Sequence, residues 1–166
     1  HKIYEKMKPY NIIFVCTGNA CRSPFAETIM KKLLLKSNLQ IQVCSAGTLD
    51  WGSNQRDKEM IEVAKEMGYT LSGVTQAISY DMLKQMNLII VFESVQKDLV
   101  TKYVEYGHWD RIVLFNDIAF NKIENLQDPH FQSHDIYKKV AKTIEEGCKI
   151  LIDKWKKNPP YSDADV

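Results

Sequence analysis

Four consecutive apolar residues, Ile12 to Val15, run straight into Cys16-Thr17-Gly18-Asn19-Ala20-Cys21-Arg22, and Ser23-Pro24 then open an amphipathic stretch. A short, uninterrupted apolar run reads as a strand buried on both faces, and such a strand needs helical cover on each side of a sheet. A strand that ends in a small loop and feeds a helix aims loop amides and a helix N-terminus at one spot, where anions bind. Pro24 suits a first helical turn. Phe25, Ile29, Leu33 and Leu34 recur on one face, so a helix is expected from about Pro24 to Lys36, with Lys31, Lys32 and Lys36 in water.

The residue types in this loop carry a particular chemistry. Arg22 follows Cys16 by six positions, the span of one tight loop. Its guanidinium fork can grip two phosphoryl oxygens while the sulfur faces phosphorus from behind. The helix end and Arg22 both favour the thiolate of Cys16. Ser23 can donate a hydrogen bond to that sulfur and stabilise it as a leaving group. Thr17, Gly18, Asn19, Ala20 and Cys21 form the cradle. A Cys and an Arg at this spacing are weak evidence alone, since a buried strand-end cysteine beside a helix start would look the same. The complete strand–loop–helix string is specific.

The remaining chain supplies the rest of an alternating α/β pattern. Ile41 to Ser45 reads as a second strand, Leu88 to Phe92 as a third and Arg111 to Phe115 as a fourth. Helices are expected over Arg56 to Met67 (Met60, Val63, Ala64 and Met67 inward, Gly68 ending it), over Asp81 to Gln85, and from Ser94, a candidate cap, to about Tyr106. Asn116 to Gln127 reads as loop. A final helix runs from Ser133 or His134 to about Trp155, with Tyr137, Val140, Ala141, Ile144, Cys148, Leu151 and Trp155 inward. The pattern predicts a single α/β domain: a central four-stranded parallel twisted sheet, helices on both faces, and a phosphate-binding loop after strand 1. Residues 1–10 are expected as an arm, 11–157 as the domain, and 158–166 as a disordered tail. At 166 residues the chain is long enough for one real core.

Net charge is +1, so no basic or acidic field points to nucleic acid or membrane. No long apolar run reads as a membrane span. The chain starts at His1 rather than Met, which leaves room for a removed leader. Four scattered cysteines (Cys16, Cys21, Cys44, Cys148) form no disulfide framework, and a reactive thiol suits a reducing compartment, here expected to be the cytoplasm. Asp128-Pro129 stands about a hundred residues after the cysteine loop. Proline keeps its predecessor extended, so Asp128 can be displayed over the cleft as a general acid; a plain Asp-Pro turn is the bland alternative.

The string from Asn11 to Glu27, with Asp128-Pro129, resembles the signature of the low-molecular-weight protein tyrosine phosphatases, and the resemblance extends to about Trp155. It implies hydrolysis of phosphotyrosine or a small aryl phosphate through a cysteinyl-phosphate, with no cofactor and no metal, by a monomer or weakly self-associating protein. It further implies Cys16 as nucleophile, Arg22 as phosphate clamp, Asp128 as acid then base, Ser23 as assistant to the thiolate, and Asn19 as support for a strained loop. Ser45, in Ser45-Ala46-Gly47, is implied to bond Asn19, and Cys21 to form a reversible disulfide with Cys16. Trp51 is implied as one wall of the substrate slot, a reading favoured over an indole packed against the domain, and Phe131 can still serve as the facing wall. This chain departs from the pattern at His130, which puts an imidazole beside the slot. It also lacks a family histidine in the segment Leu71 to Ser79, with Gly73 at that place and Gln76 where a basic residue is common.

Three other functions fit parts of this pattern. A phosphoarginine phosphatase of the same fold is the first, because Ala20 matches neither the branched aliphatic residue of the tyrosine-specific branch nor the threonine of the arginine branch. An arsenate reductase needs further cysteines after the third strand, and Phe92 to Tyr106 has none. A non-catalytic phosphate-binding module would not need the complete Cys, Arg, Ser and Asp set. His130 and His134 are four apart, but with no third ligand evident a metal site is not expected.

Overall fold

A computed structural model describes residues 8–162; most of the expected N-terminal arm and the last four residues lie outside them. Strands β1 (Tyr10–Cys16), β2 (Ile41–Gly47), β3 (Leu88–Val91) and β4 (Ile112–Leu114) form one parallel sheet in the order β2-β1-β3-β4. β1 is bonded on both edges, with Ile12 opposite Val43 on one side and Leu88 on the other. Its apolar run is fully buried, as a central parallel strand requires. Side chains alternate along it. Ile12, Phe14 and Cys16 enter the larger core, and Ile13 and Val15 the smaller one on the opposite face.

Helices α1 (Arg22–Leu34), α2 (Lys58–Glu66), α5 (Phe115–Phe120) and α6 (His134–Lys157) contribute to the larger core; α3 (Tyr80–Lys84) and α4 (Ser94–Thr101) contribute to the smaller. α6 buries the seven residues its sequence pattern predicts, along with Gly147 and Ile152. The spatial order reverses at β1, with β2 on one side and β3 and β4 on the other. Sheets of this kind bind ligands outside the carboxyl ends of the strands at the reversal. Cys16 ends β1 at that point.

Several boundaries differ from the sequence expectation for physical reasons. α2 starts two residues later than Arg56, because Asp57 caps it by accepting the amides of Glu59 and Met60. Arg56 is thereby released from the helix. Glu93, not Ser94, caps α4, in a reciprocal box with Gln96. α4 stops at Thr101, and a 3-10 turn over Tyr106–Arg111 precedes β4. α5 occupies part of the stretch expected as loop; six residues have little intrinsic helicity, and burial of Phe115 and Ala119 holds it. The chain beyond α6 does not simply trail away: Tyr161 packs on Tyr10, and its hydroxyl accepts the Gln40 amide at 3.0 Å.

Candidate active site

The loop between β1 and α1 carries Thr17 to Cys21, and Asn19 adopts a left-handed backbone with φ 54°. Every carbonyl from Cys16 to Ala20 is tied down from behind. The Cys16, Thr17 and Ala20 oxygens accept the amides of Thr48, Leu49 and Asp57 at 2.9, 3.0 and 2.9 Å. The Gly18 oxygen accepts the Trp51 indole N–H at 3.0 Å, and the Asn19 oxygen accepts Arg56 Nη1 at 2.6 Å. In a trans peptide the N–H points opposite the C=O, and no cis bond occurs among the described residues. Holding these carbonyls back therefore turns the next amides the other way, into the cleft. Gly47 permits the approach of β2, because a Cβ there would lie 2.5 Å from the Thr17 oxygen.

Cys16 sits at the loop's floor. Its sulfur lies 3.0 Å from Ser23 Oγ and 3.4 Å from the Ser23 amide. Ser23 Oγ accepts Asn19 Nδ2 at 2.9 Å, which leaves its own hydrogen for the sulfur or for the Ala46 carbonyl at 3.4 Å. Asn19 Nδ2 also donates to Ser45 Oγ at 2.9 Å, and Ser45 in turn donates to Glu27 at 2.6 Å. The Asn19 carboxamide oxygen accepts the Gln76 amide at 3.0 Å and Arg56 Nη1 at 3.1 Å. Asn19, Ser23 and Ser45 are buried behind the loop, so they shape the cleft without lining it. Cys21 does line it, and burial first, then the neighbouring Cys16, pushes its thiol pKa well above the ordinary range.

Arg22 heads α1 and is 2% exposed. Nη1 donates to Glu93 at 2.6 Å and to the Leu126 carbonyl at 2.7 Å. Those two bonds use both Nη1 hydrogens and leave Nε and Nη2 for a ligand. Gln96 ties α4 to the loop by donating to Thr17 Oγ1 at 3.2 Å, while its amide oxygen accepts Phe92 N–H and Glu93 N–H. Asp128 extends over the same cleft. One of its oxygens accepts the His130 amide at 3.0 Å, and the other lies 3.8 Å from Arg22 Nη2.

The cleft has a volume of about 320 Å³, and its lining includes Cys16, Thr17, Gly18, Ala20, Cys21, Arg22, Trp51, Asp128 and His130, all expected from sequence. Leu49, Gln55 and Asp57 complete it. Phe131 is a correction: it is 92% exposed, has φ 65° and lies against His130 at a tilt, outside the residues that line the cleft. The left-handed turn after Pro129 swings it out and leaves His130 at the rim, 3.5 Å from Asp57. His134, paired with His130 in the metal reading, turns instead to Glu59 and Glu66 on α2.

Sequence reasoning missed Glu27, Arg56, Glu93 and Gln96. Each is an ordinary helix or loop residue in sequence, and only folding brings it to the loop. Gly73 offered one signal. It stands where the resemblance leads one to expect a histidine, and the Arg56 guanidinium fills the space it leaves, 3.2 Å from where a Cβ would lie.

The chain belongs to the low molecular weight phosphotyrosine protein phosphatase family, whose pattern it matches over residues 11–160. It is 27% identical over 149 residues to a protein-arginine-phosphatase of Bacillus subtilis, covering 89% of this chain and 98% of that one. It is 30% identical over 145 residues to a low molecular weight protein-tyrosine-phosphatase of Staphylococcus epidermidis, covering 87% and 96%. A crystal structure of a low molecular weight phosphotyrosine phosphatase from Vibrio cholerae superposes with a TM-score of 0.83 at 27% identity, over 92% of this chain and 99% of that one.

Proposed function

We propose that this protein hydrolyses aryl phosphate monoesters, phosphotyrosine foremost, through a cysteinyl-phosphate. One observation carries the reading: Cys16 Sγ sits 3.0 Å from Ser23 Oγ, at the floor of a cleft that Arg22 and Asp128 also line. The loop amides and the free side of Arg22 bind the phosphoryl oxygens. The Cys16 thiolate attacks phosphorus as the bond to the leaving oxygen breaks, and Asp128 delivers its proton to that oxygen. The Asp128 carboxylate then takes a proton from water, the hydroxide attacks phosphorus, and the S–P bond breaks to release phosphate. Ser23 donates to the departing sulfur. Nucleophile, clamp and acid are all side chains of this domain, so the sequence of steps uses no metal. Trp51 gives the cleft a flat apolar wall suited to an aryl ring.

The test is Cys16→Ser assayed against a panel of phosphorylated compounds, with and without chelator. Loss of turnover with retained phosphate binding is expected; wild-type turnover in the variant refutes the nucleophile. A phosphoarginine substrate is the second reading. It is favoured by the small Ala20 and by Asp57 and Asp128, two carboxylates lining one cleft that can face a guanidinium. The arginine-phosphatase relative adds to it. Rates on phosphotyrosine and phosphoarginine peptides, measured side by side, decide between them. The proposal extends to a cytoplasmic setting that keeps Cys16 reduced and to oxidative protection by a Cys16–Cys21 disulfide. It also takes residues 11–157 as the catalytic domain.

A further inference from the structure

Two arginines are buried among the described residues, Arg22 and Arg56, and the chemistry above uses only the first. Arg56 lies between β2 and α2, immediately before the cap Asp57. Its Nε donates to the Ser72 carbonyl at 3.0 Å, while Nη1 donates to both oxygens of Asn19, backbone at 2.6 Å and carboxamide at 3.1 Å. Gly73, at φ +85°, gives the guanidinium its room. Three of the five loop carbonyls are held by backbone amides, which any sequence can supply. The other two depend on particular side chains, Trp51 at Gly18 and Arg56 at Asn19. The Asn19 carbonyl belongs to the loop's left-handed residue, a conformation that most side chains resist. A buried carbonyl there needs a donor, and a charged one bonds about twice as strongly as a neutral one.

We propose that Arg56 is a positioning residue for the anion loop: by holding both Asn19 oxygens it keeps the Ala20 amide turned into the cleft, and its buried charge adds to the loop's preference for anions. It touches no substrate atom and acts through Asn19. Burial pulls the Arg56 pKa below the usual guanidinium range, and Glu27 and Cys16 oppose that shift. The inference rests on the phosphate-binding reading.

The experiment measures inhibition by inorganic phosphate, kcat and KM on an aryl phosphate, and the thermal midpoint with and without phosphate. It compares wild type, Arg56→Gln, Arg56→Lys and the control Arg111→Gln, whose arginine donates to the Met86 carbonyl away from the loop. Arg56→Gln is expected to weaken phosphate binding tenfold or more, lower kcat/KM in parallel, and lose most of the midpoint rise that phosphate produces. Arg56→Lys, which can reach one Asn19 oxygen, should recover part of each, and Arg111→Gln should leave phosphate binding unchanged. Phosphate affinity in Arg56→Gln within twofold of wild type overturns the inference, even if the midpoint falls. Should Arg56→Gln fail to fold, Arg56→Lys decides: weakening of threefold or more supports the role, and wild-type affinity refutes it. A wild type that binds phosphate without hydrolysing any substrate would sink the catalytic reading and leave this one standing.

Discussion

Asn19→Ala tests the loop at its most constrained residue. The Asn19 side chain makes four hydrogen bonds, to Ser23, Ser45, Gln76 and Arg56, and is fully buried. The partners do not suffer equally. Ser45 keeps Glu27, Ser23 keeps the sulfur, and Arg56 keeps the Asn19 carbonyl. The Gln76 amide has no such second partner, and an orphaned donor costs about 1–3 kcal/mol. Alanine at φ 54° adds about 1 kcal/mol that asparagine largely avoids. The sum is about 3 kcal/mol, a large share of the roughly 5–15 kcal/mol that a domain of this size holds. It corresponds to a midpoint drop of roughly 6–12 °C. Urea unfolding and inhibition by inorganic phosphate, run on the same preparation, check both consequences. The variant should stay folded at 25 °C yet bind phosphate far more weakly, because the left-handed turn relaxes and the amides spread. A loss under about 1 kcal/mol with unchanged phosphate affinity would show that the loop holds its shape without this residue.

Asp128→Asn should slow substrates with poor leaving groups by about a hundredfold to ten-thousandfold and spare activated aryl phosphates; an equal loss across leaving groups argues against a proton donor. Gly147→Ala drives a methyl to 2.4 Å from the Phe115 ring and should destabilise by about 1–3 kcal/mol in urea titration, without altering KM; a neutral result means that Phe115 moves freely. His134 has its pKa raised by hydrogen bonds to Glu59 first and then Glu66. Its contribution is therefore complete below about pH 6.5 and fades as pH rises through the higher folded value. The midpoint gap between wild type and His134→Gln should shrink from pH 6 to pH 9, and a constant gap refutes the linkage. Peroxide inactivation should be reversed by thiols in wild type and much less in Cys21→Ser; equal recovery removes the protective disulfide.

The sheet and the loop were legible because their signals are local. An apolar run of four, a loop closed by Arg22 and a Ser-Pro helix start are all contained within a few turns of chain, and their periodicity states which faces are buried. Boundaries set by side-chain caps were less so: the choice of Asp57 over Arg56, or Glu93 over Ser94, depends on which oxygen reaches a free amide. α5 escaped notice because a six-residue helix is made by the core around Phe115 and not by its own propensities.

The sequence alone determined the cysteine loop, the chain order of the strands and the Asp-Pro turn, since each is encoded by neighbours along the backbone. Tertiary structure alone decided what stands behind that loop. Glu27 in α1, Arg56 before α2, and Glu93 with Gln96 at the head of α4 come from three separate segments, and which of them would hold a given carbonyl or guanidinium depended on how helices docked on the sheet. It also decided that His130 and not Phe131 faces the cleft, because Phe131 itself takes the left-handed position of the turn after Pro129 and its ring is carried out into solvent. Short-range geometry can be read from spacing; the satisfaction of buried polar groups is a property of the packed whole.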